Sequence, residues 1–303
     1  MDGNTVWPRY YTRRPTGQGS RGRYRRPGGY TLTEQNPSPD AASRTYEIKP
    51  FVAPARDLHP SAPLEWLRKG WRDFGRVPVL SLTWGSACVL IFAAVAWGAW
   101  ALGRWVLLVS VLSGFIFIAP LMAFAFYSVS RQIDSHQSPS LGQTLKAAQK
   151  PFSNALVFAL VLLVIFLLWA RAASMVYIFF PAGARLQDLL TFLVIGSSVG
   201  SVFACVTFAA SAFSLPFIAN REVDVVTAVV SSINAVLRNK WTMLVWICLI
   251  ALLTGIGFAT GLLGFAVIIP WLGYATWHGY RAVLDVSSWK SLSQDNLPPA
   301  NHA

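Results

Sequence analysis

The chain has 303 residues, 54% of them hydrophobic and only 13% charged, a composition outside that of soluble domains and inside that of membrane proteins. Its net charge of +12 points to nucleic acid until the charges are located: residues 1–77 hold 14 of the 25 Lys and Arg and 7 of the 13 acids, so the remainder is only mildly basic. The three cysteines, Cys88, Cys205 and Cys248, sit in separate apolar runs without C-x-x-C spacing or flanking histidine, which argues against a disulfide framework or a zinc site.

Residues 1–44 are rich in Arg, Gly, Pro, Tyr and Ser and nearly devoid of aliphatic side chains, so they cannot bury enough apolar area to offset the entropy of ordering. The segment RGRYRRPGGY resembles arginine-rich tails that bind RNA or anionic surfaces, and contact with anionic lipid is the reading favoured here. No apolar core of a cleavable signal peptide occurs in the first 60 residues. The run beginning near Val79 is too long for one and is expected to stay as an anchor.

A Pro-broken linker, residues 45–62, leads to PLEWLRKGWRDFGRVP, where Leu64, Leu67, Trp71 and Phe74 recur at helical spacing opposite Arg68, Lys69, Arg72 and Asp73. Pro63 marks the start of this helix and Pro78 its end, and the pattern is that of a helix lying in the headgroup plane. A first crossing is expected at about Val79–Leu102 and a second at Trp105–Ser130, joined only by Gly103 and Arg104. A short helix beginning at Leu141 precedes a third crossing at Phe152–Trp169, and a fourth runs over Thr191–Ile218. Residues Glu222–Lys240 form another amphipathic helix with Val226, Val229, Val230, Ile233 and Leu237 on its apolar side. The stretch Trp241–Tyr280 then has no Lys, Arg, Asp or Glu in 40 residues. As one helix it would reach about 60 Å, twice a hydrocarbon core, so it is read as crossings five and six with a turn near Gly255, Gly257, Gly261 and Gly264.

Surface helix, outgoing crossing and returning crossing recur about every eighty residues, from near Leu64, Leu141 and Val225. The returning crossings PLMAFAFYSVSR (Pro120–Arg131) and PWLGYATWHGYR (Pro270–Arg281) share a leading Pro, aromatics, an Ala and a closing Arg. Pro frees a carbonyl, the aromatic sits at the interface, and Arg131 and Arg281 mark the exit. The expected fold is therefore all-α and integral to the membrane: six transmembrane helices as three hairpins, each preceded by an amphipathic interfacial helix. Residues 1–62 are read as basic tail and linker, 63–283 as membrane domain and 284–303 as C-terminal tail. The tails and inter-unit connections hold 22 of the 25 Lys and Arg, which puts both termini in the cytoplasm of a bacterial inner membrane.

No catalytic, cofactor-binding or metal-binding residue stands out, and no carboxylate lies within any crossing. Two readings are open for Arg171: an intramembrane cation lining a polar site, or an outer-interface cation beside Trp169, with Asp188 a candidate partner in either case. His278, next to Trp277, has only His136 as a histidine neighbour near the membrane, so a hydrogen bond to an adjacent helix is expected rather than haem ligation. Small residues at Gly196, Ser197, Ser198, Gly200 and Ser201 mark a close-packing seam.

The segments PLEWLRKGWRDFGRVPVLSLTWG, APLMAFAFYSVSRQI, LLWARAASMVYIFF, SLPFIANREVDVVTAVVSSINAVLRN and GFAVIIPWLGYATWHGYRAV, in that order over about residues 45–287, resemble an uncharacterised bacterial integral inner-membrane family whose members have been labelled cytochrome c oxidase subunits. The resemblance implies a non-catalytic role as accessory subunit or assembly partner of a larger membrane complex such as a respiratory terminal oxidase, with membrane lipids and a membrane protein as partners. It transfers no catalytic residues. A transporter or lipid-handling protein with an inter-repeat cavity, and a tether binding RNA or anionic lipid through the N-terminal tail, are the alternatives. Nucleic acid is not the expected partner.

Overall fold

The computed structural model describes residues 50–101, 124–135, 139, 141–180 and 185–292. The basic tail, Pro120 with most of the second crossing, His136, and residues beyond 292 lie outside them. Nine helices are present among the described residues: α1 (Ala62–Arg76), α2 (Pro78–Ala101), α3 (Phe124–Asp134), α4 (Leu141–Phe179), α5 (Leu186–Ser211), α6 (Ser214–Asn220), α7 (Val225–Arg238), α8 (Lys240–Ala259) and α9 (Phe265–Val283). Among the described residues four stretches are long and apolar enough to cross a membrane: Pro78–Gly98, Ser153–Phe179, Leu186–Asn220 and Lys240–Ala259. Four of the expected six crossings are thus met on these grounds among the described residues, and the second lies mostly outside them. α9 falls below the four in apolarity because Gly, Trp, Tyr, His and Arg fill its second half.

Prolines and single residues set the boundaries. Pro63 lies in the first turn of α1, and Val77, in extended φ ahead of Pro78, separates α1 from α2. Asn239 alone separates α7 from α8. The expected break at Pro151 is absent. α4 runs through it for 39 residues, about 58 Å, and the third crossing continues past Trp169 to Phe179. A proline deletes one ladder bond, and the Ala- and Leu-rich sequence on either side propagates the helix across that gap. The fourth crossing, in contrast, is divided at Ala212 and Phe213. The Ser232 hydroxyl accepts from Phe213 N at 3.1 Å and donates to Ala209 O at 2.7 Å, serving the backbone groups that the break frees.

α8 and α9 are joined by residues 260–264, as the glycine pattern requires, with Gly261 and Leu262 at φ of 63° and 74°. The backbone of this turn is satisfied internally. Leu262 N bonds Gly257 O at 3.1 Å, and the Thr260 hydroxyl donates to Gly257 O and accepts from Gly264 N, both at 2.9 Å.

Neither α1 nor α7 turns the whole of its apolar side toward the protein. α7 buries Thr227, Ala228, Ser231, Ser232 and Ala235, whereas Val226 and Leu237 are 60% and 58% exposed. α1 buries Trp66, Leu67, Gly70, Asp73 and Phe74, leaving Leu64 and Trp71 half exposed. The reason is that small and hydroxyl-bearing side chains permit close approach and bond to backbone. In lipid the large aliphatic side chains lose nothing by facing outward.

The core gathers at one end of the spans. Trp66 stands edge-on to Trp246 and Phe213, with ring centroids 5.5 and 6.4 Å away, and the buried helix α6 places Phe217 against Tyr280 and Trp289. Residues 50–61, read as a linker, are an ordered strap. Ala53 N donates to the Ser231 hydroxyl at 2.9 Å, Arg56 N to Val283 O at 2.7 Å, and Asp285 N to Pro54 O at 2.9 Å. The expected C-terminal tail is likewise folded as far as Leu292, with Trp289 buried and Leu292 N bonded to Asn220 O.

Asn239 holds the strap by accepting from Leu58 N at 2.8 Å and donating to Arg56 O at 3.0 Å. Asn239→Ala is expected to release it, so that tryptic cleavage after Arg56 accelerates by about tenfold while the helices stay intact. Beside it, the Arg238 guanidinium grips Asp57 at 2.6 and 2.9 Å and holds its carboxyl below the ordinary value. A lowered folded value means this contribution is present above the unfolded pKa and lost as pH falls through the folded one. Protection of the strap amides from hydrogen exchange is expected to fall slightly on acidification below the ordinary range of an aspartate, and less in high salt, because the pair is fully exposed.

Candidate functional site

The polar groups of the fold converge where α1 and α3 meet the second half of α9. α1 reaches α9 closely because a Cβ on Gly70 would lie 2.7 Å from Ala275 N and 3.0 Å from Trp271 O. Trp271 Nε1 donates to Leu67 O at 2.8 Å, fixing the register. One turn beyond Gly70, Asp73 is carried into the interface and is only 2% exposed. Its Oδ2 meets His278 Nε2 at 2.6 Å, and its Oδ1 accepts from Arg76 Nη1 at 3.2 Å. Next to it on α9, Tyr274 and Ser81 share a hydrogen bond of 2.7 Å.

The other side of α9 faces α3. Trp277 Nε1 donates to Asp134 Oδ2 at 2.8 Å, and Arg281 Nε lies 3.9 Å from the same oxygen. Arg131 reaches in the other direction, donating to Ala219 O at 2.6 Å at the end of α6, and Asn220 donates to the Tyr280 hydroxyl at 2.9 Å. Five candidate positions, Arg131, Pro270, Trp277, His278 and Arg281, are therefore brought onto two helices that pack together. Pro120 lies outside the described residues. Arg171 and Asp188 sit elsewhere, exposed on α4 and α5, and are not paired with each other.

Asp73 and Asp134 are the residues that sequence reasoning missed. The charge pattern puts Asp73 on the polar side of α1, yet its spacing of three from Gly70 and seven from Trp66 places it on the buried face. His278 has the hydrogen bond to a neighbouring helix that was expected of it. Chemically, the cluster is a set of charge-assisted bonds locking three helices, with each carboxylate already engaged. Pro270 adds a backbone device. It removes the donor for Ala266 O, and that oxygen fills the place where a Cβ on Gly85 of α2 would sit.

A second feature is an open groove of about 480 Å³ beside the end of α6, where Asn154, Arg221, Glu222 and Asp224 mix charges of both signs. Asn154 donates to Val223 O at 2.9 Å and Arg221 to Trp289 O at 2.8 Å, so the wall is tied to the backbone. No three His, Cys, Asp or Glu side chains converge as a metal-binding group among the described residues.

Apolar helices of bilayer length, joined to a hydrogen-bonded cap, define an α-helical integral membrane protein. Residues 107–220 match the model of a family described as a predicted integral membrane protein (DUF2189). This stretch is shorter than the 45–287 over which the resemblance extends, but contains APLMAFAFYSVSRQI, LLWARAASMVYIFF and the start of SLPFIANREV. Neither a curated protein nor a solved structure matches the chain.

Proposed function

We propose that this integral membrane protein acts by association, as a non-catalytic accessory subunit or assembly partner of a larger complex in a bacterial inner membrane, with a respiratory terminal oxidase the first complex to test. The observation that carries the reading is the uncovered face of α5. No residue from Leu186 to Val206 is fully buried in the described structure, and the exposed ones include Ser197, Ser201 and Ala204. Ser201 bonds its own helix at Ser197 O, 2.7 Å away, leaving a small-residue patch beside the exposed Leu190 and Leu193 into which another helix can pack closely. Gly196 and Gly200 of the same seam already serve such packing within the chain, against Val176 and Trp169 of α4.

Six crossings with both termini cytoplasmic complete the proposal. α9 is taken as the sixth, being packed between α1, α2, α3 and α8, and the largely undescribed second crossing supplies the other. The protein should be solubilised gently from its own membrane and its co-migrating components identified. Co-migration with a membrane complex, and loss of that complex from a deletion strain, is the expected result. A protein migrating alone, with oxidase content unchanged in the deletion strain, overturns it.

A further inference from the structure

We infer that the outward ridge of α4 bearing Arg171 docks a partner's membrane helix that presents an Asp or Glu carboxylate to this arginine. The inference rests on the association reading and adds to the α5 face a second docking surface on α4. Arg171 lies eight residues before the end of the Ser153–Phe179 span, so its Cα is about 12 Å inside the helix end. It is exposed, and so are Leu160, Val164, Leu167, Met175 and Ile178 on the same helical face. A permanent cation is thus set in an aliphatic ridge that nothing described in this chain covers.

Among the described residues no carboxylate is placed to answer it. Asp57, Glu65, Asp73, Asp134, Glu222 and Asp285 are each paired with a basic side chain. Asp224 accepts from Thr227 N as the cap of α7. Asp188 is out of reach. α4 and α5 run side by side with Tyr177 against Phe192 and Trp169 against Gly200, which sets Arg171 opposite residue 198, about 15 Å along α5 from Asp188. The undescribed stretches of the membrane part, residues 102–123, 136–138, 140 and 181–184, contain no Asp or Glu.

Lipid phosphate is the competing acceptor, and helix geometry disfavours it. Helical side chains lean toward the N-terminus of their helix, whereas the nearer membrane face for Arg171 lies at the C-terminal end of α4. Leaning the favoured way, the side chain faces 18 further residues of span, about 27 Å of hydrocarbon. An arginine so placed calls for an acceptor at its own depth, and intramembrane cations are met by carboxylates of neighbouring helices.

The test uses the full chain in its own membrane, with a photo-crosslinking residue at Leu167 or Ser174 and the variants Arg171→Leu and Arg171→Lys. Adducts are expected on a membrane segment within one helical turn of an Asp or Glu. Arg171→Leu should lower the co-migrating fraction by about tenfold, and Arg171→Lys should keep much of it. Neutralising the partner's carboxylate should release the wild-type chain to the same extent. Because leucine suits a lipid-facing ridge, Arg171→Leu should accumulate in the membrane at least as well as wild type, and this level is measured alongside. Adducts to lipid alone, adducts to a segment without a carboxylate, or unchanged co-migration of Arg171→Leu overturn the inference while the association reading stands. Wild type that migrates alone and yields no protein adduct overturns both.

Discussion

Gly85→Ala is expected to destabilise the protein by about 2–3 kcal/mol, read as a lower unfolding midpoint in SDS titration from mixed micelles. The sign is informative. Gly85 is inside α2, and helix propensity alone would make alanine stabilising by about 1 kcal/mol. The added methyl instead meets the backbone oxygen of Ala266, and a backbone carbonyl cannot swing aside as the end of a side chain can. That oxygen is available to press against Gly85 because Pro270 supplies no N–H to it. Pro270→Ala should therefore partly relieve the Gly85→Ala defect by drawing the carbonyl back into the helix ladder. Additive losses would show that the two positions are not linked.

The second large effect belongs to the Asp73–His278 pair. Asp73→Ala removes a buried acceptor and leaves His278 Nε2 without the partner it meets at 2.6 Å, an expected loss of about 2 kcal/mol. Arg76 adds little to this, since its side chain is 55% exposed. His278→Ala alone should cost a similar amount, and the double variant little more than either, giving a coupling of about 1–2 kcal/mol. Asp73→Asn keeps the shape and one hydrogen bond and should lie in between. Strict additivity in the double-mutant cycle would mean that α1 is held by Gly70, Trp66 and Trp271 alone.

The helices themselves were legible because apolar runs, prolines and uncharged length report directly on membrane crossing. Pro63, Pro78 and the 260–264 turn fell where their backbone restrictions require. Which face of a surface helix is buried was not legible. The moment of a helix such as α7 points its valines toward the less polar side, and in a membrane protein that side is the outside. Nor could periodicity show that Pro151 sits within one continuous helix, or that Ala212 and Phe213 divide another, because the deciding partner of Phe213 N is a serine nineteen residues away. The polar cluster was half visible. Trp277, His278 and Arg281 stood out by their chemistry at the end of an uncharged run, but their acids arrive from α1 and α3, 205 and 143 residues distant in the chain. Such pairings depend on packing that no local pattern carries.

The strap constrains how often the chain crosses the bilayer. Ala55 pairs antiparallel with Leu284, and hydrogen bonds from Arg56 to Val283 and from Asp285 to Pro54 close the pairing on both sides. Two segments so joined occupy one membrane face, so the polypeptide between them must traverse the bilayer an even number of times. Parity ties the helices together as a set. Any crossing beyond the four apolar spans must therefore come with a second one. A reporter fused at residue 50 and another after Leu292 should therefore always give the same sidedness, whichever compartment that proves to be.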